Sequence, residues 1–264
     1  MNKNMKIDKE NWKSVDINID SLWLIGPRAK GGKRENNYHG NFVPQIPDHL
    51  IRRYTSPGDI VFEPFMGSGT TLYECERLGR NYIGFDINQE IINYVEEKMK
   101  DVNSINYSIY NCDATDSQLF DIYIKQALKE NGKQRVDFIL SHPPYWNIIQ
   151  FTDKEEDLSN AKNLEEFIAL FISSMRNAIN YLKTGRHFAI VVGDIYQNGE
   201  IIPLGFYLMY ALKKNIKCKL KGIVVKDIVG NRGKMGAEAL WRYRTLRSDT
   251  FLFKHEYIFV FKKG

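Results

Sequence analysis

Val61-Phe62-Glu63-Pro64-Phe65-Met66-Gly67-Ser68-Gly69-Thr70-Thr71-Leu72 is the stretch on which the fold of this chain turns. A short run over residues 59–62 stops at an acid, passes through two glycines, and flows into a helix-like pattern that ends near Gly79. Strand, tight loop and helix are the expected order. Gly67 and Gly69 allow a sharp turn and a close backbone approach to a ligand, while Thr70 and Thr71 sit where a helix N-terminus offers unpaired N–H groups. A lone Gly-x-Gly serves strand-to-helix packing as readily as ligand binding. A second, independent motif weighs for binding: Ser141-His142-Pro143-Pro144-Tyr145-Trp146, at the end of another expected strand.

Outward from that stretch the chain alternates between the two periods. Residues 81–86 form a short strand ending in Asp86, and Asn88 caps a helix carrying Ile91, Ile92, Val95 and Met99 at helical spacing. A strand over 105–110 ends at Asn111-Cys112-Asp113, a helix follows over 117–130, and a strand over 136–140 delivers the proline motif. A helix over 164–182 shows Leu164, Phe167, Phe171, Met175, Ala178 and Leu182 on one face, which is a core stripe. Strands are expected at 187–192, 219–225 and 251–261, the last antiparallel to its predecessor, with a helix at 203–212. Upstream, an amphipathic helix carries Leu50, Ile51 and Tyr54. This order predicts an α/β fold with a mostly parallel sheet of seven strands, an antiparallel last strand and helices on both faces. Four strand ends carry a glycine loop, an acid, an acid and a proline turn, and in an open parallel sheet such ends line one crevice where the strand order reverses. Asp86 falls where nucleotide-binding folds of this kind hold ribose hydroxyls.

A chain of 264 residues suits one domain with one site. The expected organisation is an N-terminal arm and basic loop over 1–40 and a single domain over 41–264, with an inserted segment at 227–250. Charged residues at 26% and apolar ones at 43% argue against disorder. Apolar runs are far short of the roughly 20 residues of a membrane helix, so no membrane association and a cytoplasmic location are expected. Cys75, Cys112 and Cys218 are scattered without metal-ligand spacing, which argues against a metal site or a disulfide framework.

The net charge of +5 permits a nucleic-acid partner. Most of the excess lies between Lys226 and Lys254, where seven Lys and Arg face three acids. That segment holds Arg232, Lys234, Trp241, Arg242 and Arg244, and a glycine-rich loop upstream holds Arg28, Lys30, Lys33 and Arg34. These are the candidate contacts to phosphates and base edges, with a solvated loop as the other reading. The acidic stretch 147–163 has no clean period and reads as a lid or as a plain surface loop.

Phe62 to Thr71, followed by Gly84-Phe85-Asp86 and His142-Pro143-Pro144-Tyr145, resembles the S-adenosylmethionine-dependent DNA methyltransferases that modify exocyclic amino groups, at adenine N6 or cytosine N4. The resemblance runs from about Tyr38 to the C-terminus and implies a Rossmann-like methyltransferase fold, S-adenosylmethionine as cofactor and double-stranded DNA as partner. It places Phe65, Met66 and the backbone of Gly67, Ser68 and Gly69, with Thr70 and Thr71, around the methionine end of the cofactor. Asp86 would accept from the ribose hydroxyls and Asp113 from the adenine amino group. Residues 38–47, with Phe42 and Pro44, resemble the segment that closes over the methionine moiety. Two departures stand out. Glu63 occupies a position usually held by Asp, with more reach and the same charge toward the cofactor ammonium. His142 occupies the acceptor position usually held by Asp, Asn or Ser.

The chemistry accounts for the proline turn. An exocyclic amine is a poor nucleophile because its lone pair is delocalised into the ring, and acceptors for its hydrogens free that pair. Adjacent prolines hold such acceptors rigidly, and Tyr145 would stack on a base drawn out of the duplex. A neutral imidazole accepts through one nitrogen and loses that ability below its ordinary pKa of about 6.5, so activity should fall in acid. The His142 carbonyl and Ser141 are the other candidate acceptors. Adenine N6 is favoured over cytosine N4. The rival readings are an RNA or protein amine methyltransferase and a catalytically silent DNA-binding subunit of a modification complex. A restriction nuclease partner and a homodimer stay open.

Overall fold

The computed structural model describes residues 13–34, 40–229 and 238–264. A two-residue strand, β1 (Leu22–Trp23), precedes α1 (Gln45–Tyr54), which starts after Pro44 and buries Ile46, Pro47, Leu50 and Ile51. β2 (Ile60–Glu63) is buried along its whole length, and α2 (Thr70–Leu78) ends at Gly79, whose left-handed backbone (φ 69°) suits glycine. β3 (Asn81–Asp86) leads to α3 (Gln89–Met99), capped as expected by Asn88, whose Oδ1 accepts from the N–H groups of Glu90 and Ile91 at 2.9 and 3.4 Å. β4 (Tyr107–Asn111), α4 (Ser117–Glu130), β5 (Val136–Ser141) and α5 (Leu164–Asn180) continue the alternation. β6 (Leu182–Val192), a short hairpin of β7 (Ile195–Gln197) and β8 (Glu200–Ile202), α6 (Leu204–Asn215), β9 (Cys218–Asp227), α7 (Glu238–Arg247) and β10 (His255–Lys263) complete it.

Among the described residues eight strands make the main sheet, in the order β1-β9-β10-β6-β5-β2-β3-β4. Only β10 runs against its neighbours among the described residues, pairing antiparallel with both β6 and β9. The expected seven strands are present; the eighth is β1, where Leu22 and Trp23 pair with Val225 and Lys226. Two residues are too few to show a period. Successive residues of β2 divide between two cores: Ile60 and Phe62 pack with Phe120, Phe171 and Met175, while Val61 packs with Ile46, Leu72 and Val95. The sheet is therefore buried on both faces, as the apolar runs required.

β6 begins five residues earlier than expected. Between the Val136–Leu182 and Phe138–His187 pairs its register shifts, and Gly185 there takes φ 78°, so the bulge hides the strand start from a pattern search. The sheet order reverses at β2, which has β3 on one side and β5 on the other. The glycine loop and the proline turn thus leave from adjacent strands, paired at Val61–Phe138 and Phe62–Ile139. No helix among the described residues is long and apolar enough to cross a membrane.

Candidate active site

The strand ends open on a cavity whose mouth is open to solvent. Of the residues singled out above, Glu63, Phe65, Met66, Gly67, Ser68, Thr70, Asp86, Asp113, Phe42, His142, Pro143 and Pro144 line it. Gly69, Thr71, Pro44, Ser141 and Tyr145 stand behind the wall.

Glu63 terminates β2 and is almost wholly buried. Its Oε1 accepts from the Thr71 hydroxyl at 2.9 Å and its Oε2 from the Tyr82 hydroxyl at 2.8 Å. Tyr82 lies over Gly84, two residues along β3; a Cβ on Gly84 would come within 2.6 Å of its ring and hydroxyl. Burial pushes the Glu63 carboxyl up to about 8, against the opposing pull of both hydroxyls. No cation pairs with it among the described residues. The glycine loop is pinned to β3 by the Met66 N–H, which donates to the Phe85 carbonyl at 2.8 Å. The Gly67 N–H donates to Asp86 Oδ2 at 2.8 Å, and the Asn88 N–H donates to Oδ1 at 2.9 Å. Burial outweighs these bonds and raises Asp86 to about 6. Gly69 (φ 81°) starts α2, where a side chain would meet the Tyr73 ring at 3.0 Å. The Thr70 hydroxyl is buried in the wall and has no partner among the described residues. Asp113, beyond β4, accepts from the Thr115 N–H at 2.8 Å and its hydroxyl at 2.7 Å, with lone pairs to spare.

On the opposite wall His142 packs edge-on against Phe42, ring centres 4.7 Å apart. Its Nε2 lies 3.2 Å from the Tyr145 hydroxyl, which donates to Glu256 Oε2 at 3.1 Å. Glu256 in turn accepts from Lys226 Nζ at 2.9 Å, and the two residues are partners across β9 and β10. Burial lowers His142 to about 4, so the acid limb expected near its ordinary pKa moves well below it.

Tyr145, Ser141 and Pro44, expected at the cavity, lie off its wall. Tyr145 is not on the cavity wall; its ring packs over Gly193, where a Cβ would come within 3.1 Å, and its hydroxyl is held by Glu256. Ser141 is fully buried in the sheet, so its hydroxyl does not reach the cavity as an acceptor. Pro44 begins α1 and serves the helix start.

The basic loop differs from its reading too. Arg34 forms a two-pronged bond to the buried Glu74 at 2.6 and 2.9 Å, and Lys33 pairs with Glu76 at 2.6 Å. Arg28 donates to the Asn41 side chain and the Phe42 carbonyl. These three cations stitch the loop onto α2 and the cavity roof, which leaves Lys30 as its exposed cation. On α7, Arg242 and Arg244 are exposed, and Arg244 lies over the Trp241 ring at 5.3 Å. Tyr38, Arg232 and Lys234 lie outside the described residues.

The acidic loop after β5 supplies wall residues that sequence reading did not single out: Phe151, Glu156, Asp157 and Leu158. Phe151 covers Gly40, and Lys154 donates to the Ile87 carbonyl at 2.7 Å, so the loop closes against both the roof and β3. Its length beside the proline turn was the available signal. Tyr82, Glu256 and Lys226 were also missed. An isolated acid opening the apolar run Tyr257-Ile258-Phe259-Val260-Phe261 was the hint for Glu256.

A family model described as DNA methylase, for the N6 and N4 enzymes, matches residues 1–97 and 136–264. The chain belongs to this DNA methylase family. The matched parts hold both walls, whereas Asp113 falls in the unmatched interval. The chain is 50% identical over 50 residues to the type II methyltransferase M.MjaII of Methanocaldococcus jannaschii, covering 19% of this chain and 9% of that protein. It is 29% identical over 117 residues to the type II methyltransferase M.BamHI of Bacillus amyloliquefaciens, covering 44% of this chain and 27% of that one. Either match spans less than a third of the relative's length. Among solved structures, TrmN from Thermus thermophilus superposes with a TM-score of 0.53 at 18% identity, over 86% of this chain and 50% of that one. That likeness supports a Rossmann-like methyltransferase fold for this family member.

Proposed function

We propose that this chain transfers a methyl group from S-adenosylmethionine to an exocyclic amino group of a base extruded from double-stranded DNA. The observation that carries the reading is a cavity, in a member of the DNA methylase family, shared between the glycine loop on one side and His142-Pro143-Pro144 on the other.

The wall fits such a cofactor. Glu63 is a buried carboxyl whose protein neighbours are hydroxyls, which suits an ammonium; Asp86 keeps lone pairs for a ribose diol; Asp113 does so for an adenine amine. Thr70 has a buried hydroxyl in want of a partner. When bound, the cofactor supplies a methyl group on a sulfonium. Phe42 and Phe65 exclude water from the methionine end. His142 accepts a hydrogen bond from the base amine and takes the proton that the amine must lose once it has gained the methyl. Pro143 and Pro144 restrict the backbone that aims the ring. Adenine N6 remains the favoured target over cytosine N4, and the relatives named as type II methyltransferases support a DNA-modifying role.

For DNA, Lys30, Trp241, Arg242 and Arg244 are the contacts we assign, with residues 227–250 as the inserted binding segment of a domain spanning 41–264. Labelled-methyl transfer to duplex DNA, RNA and protein in parallel tests the reaction, and incorporation into RNA or protein alone would refute it. Reversing charge at Arg242 and Arg244 should weaken DNA binding and reduce the salt slope by about 2. Binding unchanged across salt would remove α7 from the interface.

A further inference from the structure

Four side chains form a line running from the cavity wall into the sheet. His142 Nε2, the Tyr145 hydroxyl, the Glu256 carboxylate and Lys226 Nζ are linked by contacts of 3.2, 3.1 and 2.9 Å. Glu256 and Lys226 are both buried, and they face each other across two strands remote in sequence from the proline motif. Buried charges in a sheet are costly unless they serve each other or a neighbour.

The protons along this line can be placed. Lys226 is a donor only, and Glu256 paired with it is an ionised acceptor only. The one hydrogen of the Tyr145 hydroxyl therefore points to Glu256. The phenol oxygen then has lone pairs alone to offer His142, so the hydrogen between them belongs to Nε2. A neutral imidazole protonated at Nε2 has its lone pair at Nδ1.

Resting on the methyltransfer reading above, we propose that Tyr145, Glu256 and Lys226 are positioning residues that hold His142 as the Nε2–H tautomer, reserving Nδ1 as the acceptor for the target amine. When Nδ1 takes the amine's proton, the resulting imidazolium keeps its Nε2–H bond to Tyr145, and the Glu256 carboxylate behind it offsets the positive charge. The charges that bear on the ring are Glu256, which favours its protonation, and Lys226, which opposes it; Asp194 acts on the Tyr145 phenol. This gives Tyr145 a role that needs its hydroxyl, whereas stacking on a base would need only its ring.

The test is ¹⁵N NMR of the histidine rings in the full chain, without DNA or cofactor, with the His142 signal assigned by its loss in His142→Gln. Wild type should show an Nε2-protonated ring, and Tyr145→Phe, which keeps the aromatic ring, should show a mixture of tautomers. The same variant should lose roughly 10- to 100-fold in kcat, the range for removing the outer partner of a metal-bound histidine, with cofactor affinity unchanged. Glu256→Gln should act in the same direction and guards against a folding defect in either variant alone. An Nδ1-protonated wild type overturns the proposal, and so does a Tyr145→Phe or Glu256→Gln protein that folds and keeps full kcat. Failure of wild type to methylate DNA would instead refute the functional reading, and the ring spectrum would still decide the tautomer.

Discussion

The two walls of the cavity each carry an ionisable side chain, Glu63 buried and His142 half-buried, and desolvation drives the pair in opposite directions. Glu63 is raised to about 8 and His142 is lowered to about 4, so near neutral pH the carboxyl and the imidazole are both uncharged. Their surroundings differ. Around Glu63 the described residues supply only hydroxyl donors, from Thr71 and Tyr82, and a cation entering the cavity would draw the proton off. Around His142 the protein supplies a complete chain through Tyr145 and Glu256 to Lys226. One wall is finished by its ligand; the other is organised before any ligand arrives.

That contrast breaks most visibly at His142. Replacing it with Ala should lower kcat by roughly 10²- to 10³-fold, within the range for a lost acid–base group, while calorimetry finds cofactor affinity unchanged. Full turnover would move the acceptor to the backbone. The opposite wall should behave the other way: Glu63→Gln should weaken cofactor binding by roughly 10- to 100-fold, as for a lost charged hydrogen bond, and leave kcat at saturating cofactor nearly intact. If the two variants showed the same KM-against-kcat split, the walls would not have separate tasks.

Smaller effects come from pH. A ligand cation requires the ionised Glu63, so cofactor affinity should rise by up to about tenfold per pH unit toward pH 8, and Glu63→Gln should flatten that slope. At saturating cofactor, turnover should show no histidine limb near pH 6.5; that limb belongs near pH 4. The smallest signal is in stability without ligand. The folded state holds the Glu63 proton up to about pH 8, while the unfolded chain releases it near 4.5, so this contribution is present below 4.5 and is lost as pH rises toward 8. His142 works in the reverse sense, its contribution being lost as pH falls from 6.5 to 4, which leaves the window from 6.5 to 8 to Glu63. Across it, Tm should drop by about 3 to 6 °C in wild type and less in Glu63→Gln.

The two basic segments make a parallel case. Both read alike as Lys and Arg among glycines and aromatics, yet Arg34 and Lys33 are consumed by Glu74 and Glu76, carboxylates some 40 residues away, while Arg242 and Arg244 stay exposed on α7. Composition counts charges but cannot pair them across such distances. The same limit separates what was legible from what was not. α4 was expected at its observed bounds, β3 likewise, and the Asn88 cap was read correctly, because helix period, strand alternation and capping are local properties of a few neighbouring residues. β1 and the β7–β8 hairpin escaped, since strands of two or three residues carry too little pattern. The early start of β6 escaped because a bulge at Gly185 interrupts its alternation.

By itself the sequence determined the order of strands and helices, the glycine loop after β2, the acids ending β3 and following β4, and the proline turn after β5. These follow from periodicity and from backbone preferences within a few residues. Only the tertiary structure decided which side chains share a wall and in what protonation state. Tyr82 reaches Glu63 across the empty space over Gly84, and Glu256 and Lys226 meet behind His142 from strands more than eighty residues beyond it. Desolvation and through-space pairing depend on what surrounds a group in three dimensions, and neither has a signature in the order of the residues.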